Sequence, residues 1–543
     1  HCKIEPRVEN KEKFSIPAWS AGGFNRLTAN LVSQVDGRPA FGSAPDDVSV
    51  MDAIKDLRSR GHRVVLYPFI MMDIPADNTL PDPDTGTEGQ PIYPWRGRIR
   101  KDALGASAAS QVSDFMGSAT PSEFPGQSIY ESTWIGVSAS LGDESTNSTI
   151  TWTSGAPFVG IGSQVGIKTV DTSEVFTVTV QWITTQPQST TVTWVLEEKT
   201  VAWDTQAVMV DQNPTGAPVY TGTDQGTYRR FILHLAALAR NAGGVDAFLV
   251  GTEMVGLTKT TDGAGAYPFV DALVSLAADV KTMLPSTAVS YAADWSEFNN
   301  HVDGNDVYFH LDPLWSSPDV DFVGIDNYLP LSDWRHGQNH LDYDPDAGVT
   351  SIYNLDYLKA NIEGGENWDW FYASDQDRRD QVRTPITDGA YGEPWIYRQK
   401  AIRDWHGNAH HNRPGGVRDT SPTNWVPSSK PVWFTELGCP AVEMASNQPN
   451  VFYDPKSSES FLPYFSSGRR DDFIQRQFIR ASIEWWTDNG AGIVDPADIL
   501  IWAWDARPWP EFPRLTNFWT DGPNARFGHW LNGRAGSAPA AEV

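Results

Sequence analysis

The chain has 543 residues, with 41 Lys and Arg against 68 Asp and Glu, for a formal net charge of −27. That acidic excess argues against a nucleic-acid backbone or an anionic membrane surface as partner, because both need basic patches. No apolar run approaches the roughly 18 residues that span a bilayer, and two cysteines, Cys2 and Cys439, do not make a disulfide scaffold. The two could pair or stay as free thiols. The length exceeds one ordinary domain. The 23 Trp, 17 Tyr and 24 Phe supply large cores, and flat amphipathic rings also hold sugar faces.

The chain opens on His1 rather than Met, and 531–543 reads as small-residue linker, so an excised piece of a longer polypeptide is expected. Residues 1–45 are irregular, with a short strand candidate at Cys2-Lys-Ile-Glu5. Asp46 or Asp47 caps a helix over Val48–Arg60, Gly61 stops it, and 62–70 follows as a buried strand. A loop over 73–104 holds Asp82, Asp84 and Glu88, acids from which a calcium loop is conceivable, but Asp82-Pro-Asp84 matches no EF-hand pattern. A loop this long usually wraps a site.

Between 119 and 223 the composition turns to Ser, Thr, Val and Gly. Period-2 alternation appears at 148–152, 174–182 and 190–196, which predicts an inserted antiparallel β-sandwich-like module. Trp152, Trp182 and Trp194 either bind glycan or face the module's own core, and the alternation favours the core.

The helix–strand rhythm resumes at Thr227–Asn241, stopped by Gly243-Gly244, and strand 247–251 delivers Glu253. Helix Pro268–Leu284 leads to strand 288–293, ending at Asp294 and Trp295. Strand 320–325 ends at Asp326 and Tyr328. A polar, Trp-rich segment over 330–428 holds His406, His410, His411 and Arg413. Those histidines read as satisfied loop residues rather than zinc ligands, since no third ligand at suitable spacing completes them. Strand Pro431-Val-Trp-Phe-Thr-Glu436 comes next, then helix Asp471–Asn489 and strand 499–504, ending at Trp504 and Asp505.

Buried strands alternating with helices predict an α/β fold, most of a (β/α)8 TIM barrel, with 1–118 and 224–530 as its two parts and 119–223 inserted. An open doubly wound sheet is the alternative, but no Gly-rich phosphate fingerprint follows any strand. The two strands still missing must come from 1–45 or from upstream sequence. If 62–70 is the third strand, Glu253 ends the fourth and Glu436 the seventh, at the face where barrels keep their sites. One acid at one strand end is ordinary solvated surface. Two of the same form suggest a pair.

In order and type, 250–510 resembles the large clan of retaining (β/α)8 glycosidases. The resemblance implies Glu253 as acid/base, Glu436 as nucleophile, Tyr328 as the nucleophile's partner and Trp504 as the floor under the sugar. Thr252 stands where that clan usually has Asn for the sugar 2-hydroxyl. The stretches Tyr67-Pro-Phe-Ile-Met-Met-Asp73, Tyr93-Pro-Trp-Arg-Gly-Arg98, Gly243–Glu253, His411–Gly416, Phe434–Val442 and Trp502–Pro508 resemble the barrel domain of the large tail-tip protein of gene transfer agents and related siphophages. That resemblance implies a virion tail component acting outside the cell at the bacterial envelope, with other tail proteins as partners through sequence outside this piece.

The expected function is retaining hydrolysis of a cell-surface or cell-wall glycan, without metal or cofactor. Asp294, Trp295, Asp326, Tyr328, His411, Arg413, Trp502, Trp504 and Asp505 are candidate substrate-binding residues. Two alternatives stand beside it. One is a non-catalytic glycan-binding or structural tail-tip protein on a degenerate barrel. The other is an inverting hydrolase, pairing a Glu with Asp294, Asp326 or Asp505 at about 6.5–9.5 Å.

Overall fold

The computed structural model describes residues 47–125 and 218–502, apart from 69, 71–73, 75–76, 83, 93, 219, 224–226, 263–264 and 452–456. Elsewhere it gives the backbone of isolated strands. Two compact units emerge, 125–219 and the remainder.

In the larger unit, seven parallel strands form one sheet in chain order: β1 (Cys2–Ile4), β2 (Val64–Leu66), β3 (Ala247–Thr252), β4 (Ala288–Asp294), β5 (Val323–Asn327), β6 (Val432–Leu437) and β7 (Ile499–Ile501). Each pairs with its neighbour in register, from Cys2 against Val64 to Leu437 against Ile501. Strand order following chain order is the α/β-barrel arrangement. β1 supplies one of the strands missing from the sequence reading, and β2 is shorter than the expected 62–70.

Helices α1 (Asp47–Ser59), α2 (Ala108–Met116), α3 (Tyr228–Asn241), α4 (Pro268–Met283) and α5 (Asp472–Asn489) cover the sheet. α1 stops before Gly61, whose φ of 78° suits glycine. α5 starts where the Asp471 carboxylate accepts the Phe473 and Ile474 amides at 3.1 and 3.0 Å.

The sheet separates two cores. Val64, Leu66, Phe248, Val250, Val289, Val323, Ile325 and Phe434 join the helices in the outer one. Val65, Tyr67, Ala247, Leu249, Ala292, Phe322 and Leu500 fill the inner one. Period-2 alternation thus persists in strands buried on both faces. It also decides which residues reach the strand ends from inside.

Two strands break that register by one residue. Leu249 to Thr252 on β3 spans three steps where β4 takes two, from Ser290 to Ala292. Phe434 to Glu436 on β6 spans two where β5 takes one, from Ile325 to Asp326. Both bulges fall just before a glutamate, where an extra residue re-aims the following side chain. Gly251 lies in the first, and a Cβ there would stand 2.6 Å from the Tyr228 hydroxyl.

The 125–219 unit holds an antiparallel sheet in the order 138–140, 148–152, 189–195, 175–186 and 164–168, and a pair of two-residue strands, 133–134 with 208–209. A second packed sheet, which a sandwich requires, is not among the described residues. The side chains of Trp152, Trp182 and Trp194 lie outside them.

In the 73–104 loop, Asp82 accepts the Asp84 and Thr85 amides at 3.0 and 2.9 Å, and Asp84 pairs with Arg100. These acids build a turn and an ion pair. Cys439 is buried, and burial raises its thiol pKa. The Cys2 side chain is outside the described residues, as are 503–543, which include Trp504, Asp505 and the expected linker.

Candidate active site

β3, β5 and β6 end in three carboxylates that meet. One oxygen each of Glu253, Asp326 and Glu436 lies within 4.8 Å of the others, and the residues are 6%, 0% and 5% exposed. Three acids this close and this buried repel strongly unless donors hold them. The donors differ at each.

Asp326 lies deepest. One of its oxygens accepts the Tyr67 hydroxyl at 2.5 Å and the Thr252 hydroxyl at 3.1 Å, and the other accepts Thr435 at 2.7 Å. All the hydroxyls come from barrel strands or their ends. Burial and then the Asp326 charge push the Tyr67 phenol well above its ordinary pKa, so it remains a donor. Thr252 also meets the Tyr67 hydroxyl at 2.8 Å. The threonine in place of asparagine therefore serves this buried network.

Glu253 is held by charge. Its Oε2 accepts the Trp95 indole N–H at 2.8 Å and an Arg96 N–H at 2.7 Å. Burial works against the Arg96 charge, but the surrounding acids, Glu253 foremost, raise its pKa above the usual value. Arg96 also donates to the Thr252 carbonyl at 3.2 Å. Gly256 permits this approach, since a Cβ there would stand 2.5 Å from the Ile99 carbonyl. The Glu253 backbone is itself unusual, with φ at 47°, a left-handed conformation that non-glycine residues seldom take.

Glu436 is held by a neutral group. The Tyr328 hydroxyl donates to its Oε2. Burial first and the Glu436 charge second raise the Tyr328 pKa well above normal, which keeps the phenol protonated.

Beside this trio, Asp294 at the end of β4 has its pKa pushed up to about 8, by burial first and by the negative charge of Glu253 second. Behind it, buried Glu297 accepts the Asp294 amide and the Tyr291 hydroxyl, both at 3.0 Å. Burial raises Glu297 to about 7. Tyr291 accepts the Met254 amide at 2.7 Å, which fixes the backbone just after Glu253.

Three clustered carboxylates are also ligand chemistry for a divalent cation. Hydroxyls bond both Asp326 oxygens, whereas Arg96 and Trp95 bond Oε2 of Glu253 and Tyr328 bonds Oε2 of Glu436.

The remaining sequence candidates are placed as follows. Trp295 lines a cavity of about 740 Å³ built mainly from the 366–399 segment. His411 bonds the Asp419 carbonyl at 2.8 Å. Arg413 is buried and ion-pairs with Asp388 at 3.0 Å and Glu393 at 2.6 Å. His406 bonds the Lys430 carbonyl, and His410 bonds Asp312 and the Trp405 carbonyl. Trp502 donates its backbone N–H to the Leu437 carbonyl at 2.9 Å, and a Cβ on Gly438 would stand 2.3 Å from the Trp502 carbonyl.

Sequence reasoning did not assign Tyr67, Trp95, Arg96, Thr435 or Glu297 to the site. The signal for the first three was present, since they stand in the two motif stretches near 67 and 95. Nothing local tied those stretches to carboxylates more than 150 positions away.

Residues 226–513 match the GTA TIM-barrel-like domain family. A comparison with curated proteins returns no match. Among solved structures, one similar chain is described as a GH113 beta-1,4-mannanase. It is 12% identical, with 86% of this chain and 72% of that chain covered and a TM-score of 0.32, a likeness too loose to carry an argument.

Proposed function

Because the chain belongs to the GTA TIM-barrel-like domain family, we propose that it is the retaining glycoside hydrolase domain of a phage or gene-transfer-agent tail. Its substrate is a glycan of the bacterial surface or wall. One observation carries the reading: Glu253 and Glu436 end parallel strands, and an oxygen of each lies within 4.8 Å of one on the other. Retaining cleavage uses two carboxyl groups about 5–5.5 Å apart, and an oxygen approach within 4.8 Å supports that geometry.

In the first half-reaction Glu436 attacks the anomeric carbon as the carboxylate, oriented by Tyr328. The glycosidic oxygen leaves with a proton from the Glu253 side of the site. Arg96 and Trp95 favour the charged form of Glu253, and Asp294 beside it holds a proton at neutral pH. Burial and the Glu253 charge keep the proton on Asp294, and that proton passes to the Glu253 side as the leaving group departs. In the second half-reaction Glu253 is the carboxylate, takes a proton from water, and the hydroxide oxygen releases the sugar from Glu436 with net retention.

One observation favours a second reading, a glycan-binding tail component without chemistry: Arg96 and Trp95 already bond Glu253. Release of reducing ends from a panel of bacterial surface and wall polysaccharides decides between them. The hydrolase reading expects cleavage by the native chain and none by Glu436→Gln. Full activity in that variant, or no cleavage of any glycan by the native chain, overturns it.

A further inference from the structure

The cavity that Trp295 lines is built mainly from the segment between β5 and β6. Its volume of about 740 Å³ falls within the roughly 300–1,000 Å³ of small-ligand sites. Its aromatic walls are Trp295, Phe371, Tyr372 and Tyr397, with Asn367 and Gln399 as polar lining. Phe371 is 41% exposed, which is unusual for a large apolar side chain. Aromatic faces together with amide donors match the alternating C–H faces and hydroxyl edges of a sugar ring.

The charges on these walls are already paired within the protein. Arg378 grips Glu366 with two bonds at 2.6 and 2.9 Å. Asp388 pairs with Arg413 at 3.0 Å, and although burial opposes it, that partner keeps the Asp388 pKa below the ordinary carboxylate value. No wall cation is left over for an acidic sugar, and the chain's net charge of −27 repels polyanions.

We infer that this cavity binds further units of a neutral polysaccharide whose scissile bond lies at Glu253 and Glu436, so that the chain is gripped at two places and cut internally. The inference rests on the proposed hydrolase reading for its second half. Trp295 makes the link, since it directly follows Asp294, which pairs across β4 and β5 with Asp326 of the acid cluster. The ordered walls carry recognition away from the reacting bond, where remote binding energy helps position the reacting centre.

The test is calorimetric titration of the Glu436→Gln chain with cellohexaose, mannohexaose, chitohexaose and hexagalacturonate, each beside its disaccharide. At least one neutral hexamer should bind 10-fold or more tightly than its dimer, and hexagalacturonate should not bind. Phe371→Ala, at an exposed position, should remove most of that length dependence, and Trp295→Phe should weaken hexamer binding while keeping an aromatic ring. Failure of every neutral hexamer to outbind its dimer overturns the inference, as does equal binding of hexagalacturonate or an unchanged hexamer affinity in both variants. A hexamer that binds here but is not cut by the native chain overturns the hydrolase reading and leaves the cavity assignment standing. Cleavage with both variants unaffected does the reverse.

Discussion

Glu253 and Glu436 reach the same place by the same device and are then treated in opposite ways. Each follows a one-residue bulge at the end of a parallel strand, which turns it toward Asp326. Glu253 meets a guanidinium and an indole, both on a loop far away in sequence, and its backbone adopts a left-handed φ of 47°. Glu436 stays within its strand and accepts a phenol from the neighbouring strand's end. Like charges packed together must be differentiated before they can share a reaction. Here position is set by the strands and electrostatic character by the loops.

The contrast can be broken at several points. Glu436→Gln removes the nucleophile and should lower activity by about 10⁴-fold or more, with the thermal midpoint little changed. Glu253→Gln should cost about 10²–10⁴-fold, and less on substrates with good leaving groups, because acid assistance matters least there. A uniform loss across leaving groups would separate Glu253 from proton transfer. Arg96→Met leaves a buried carboxylate without its cation and should destabilise the fold by about 3 kcal/mol in denaturant titration, with most of the loss recovered by adding Glu253→Gln. No recovery in the double variant would mean that Arg96 acts through packing alone. Tyr328→Phe removes one hydrogen bond to a charged group and should cost roughly 10- to 100-fold in kcat.

A separate effect is expected in the pH dependence of stability. Asp294 has its folded pKa raised from 3.8 to about 8. The stability linked to its proton is fully present below about pH 4 and is lost as the pH rises through about 8. Asp294→Asn should therefore flatten the decline in stability between those limits. An unchanged slope would place that proton elsewhere.

Much of this was legible because barrel strands are self-contained signals. Each is a short apolar run closed by a polar residue, and Glu253, Asp326 and Glu436 are those closures. Tyr328, one residue past the end of β5, was legible for the same reason. The bulges were not, since β3 and β6 are apolar on both faces and an extra residue leaves no break in pattern. Arg96 and Trp95 were visible as a motif but not as partners, because a loop contact over 150 positions has no local periodicity. Thr252 looked like a departure at a sugar contact, whereas its hydroxyl belongs to the Asp326 network. His411 and Arg413, expected at the sugar, are engaged within their own loop, and Arg413 reaches the second cavity only by holding Asp388. The inserted segment declared its strands by alternation, and Ser148–Trp152 formed as read.

The most direct test is the configuration of the first product. Proton NMR during cleavage of a glycan with defined anomeric linkage reports the nascent reducing end before mutarotation. Two carboxylates as close as Glu253 and Glu436 predict the same anomer as the bond that was cut. An inverted anomer would contradict double displacement and with it the pairing of these two residues.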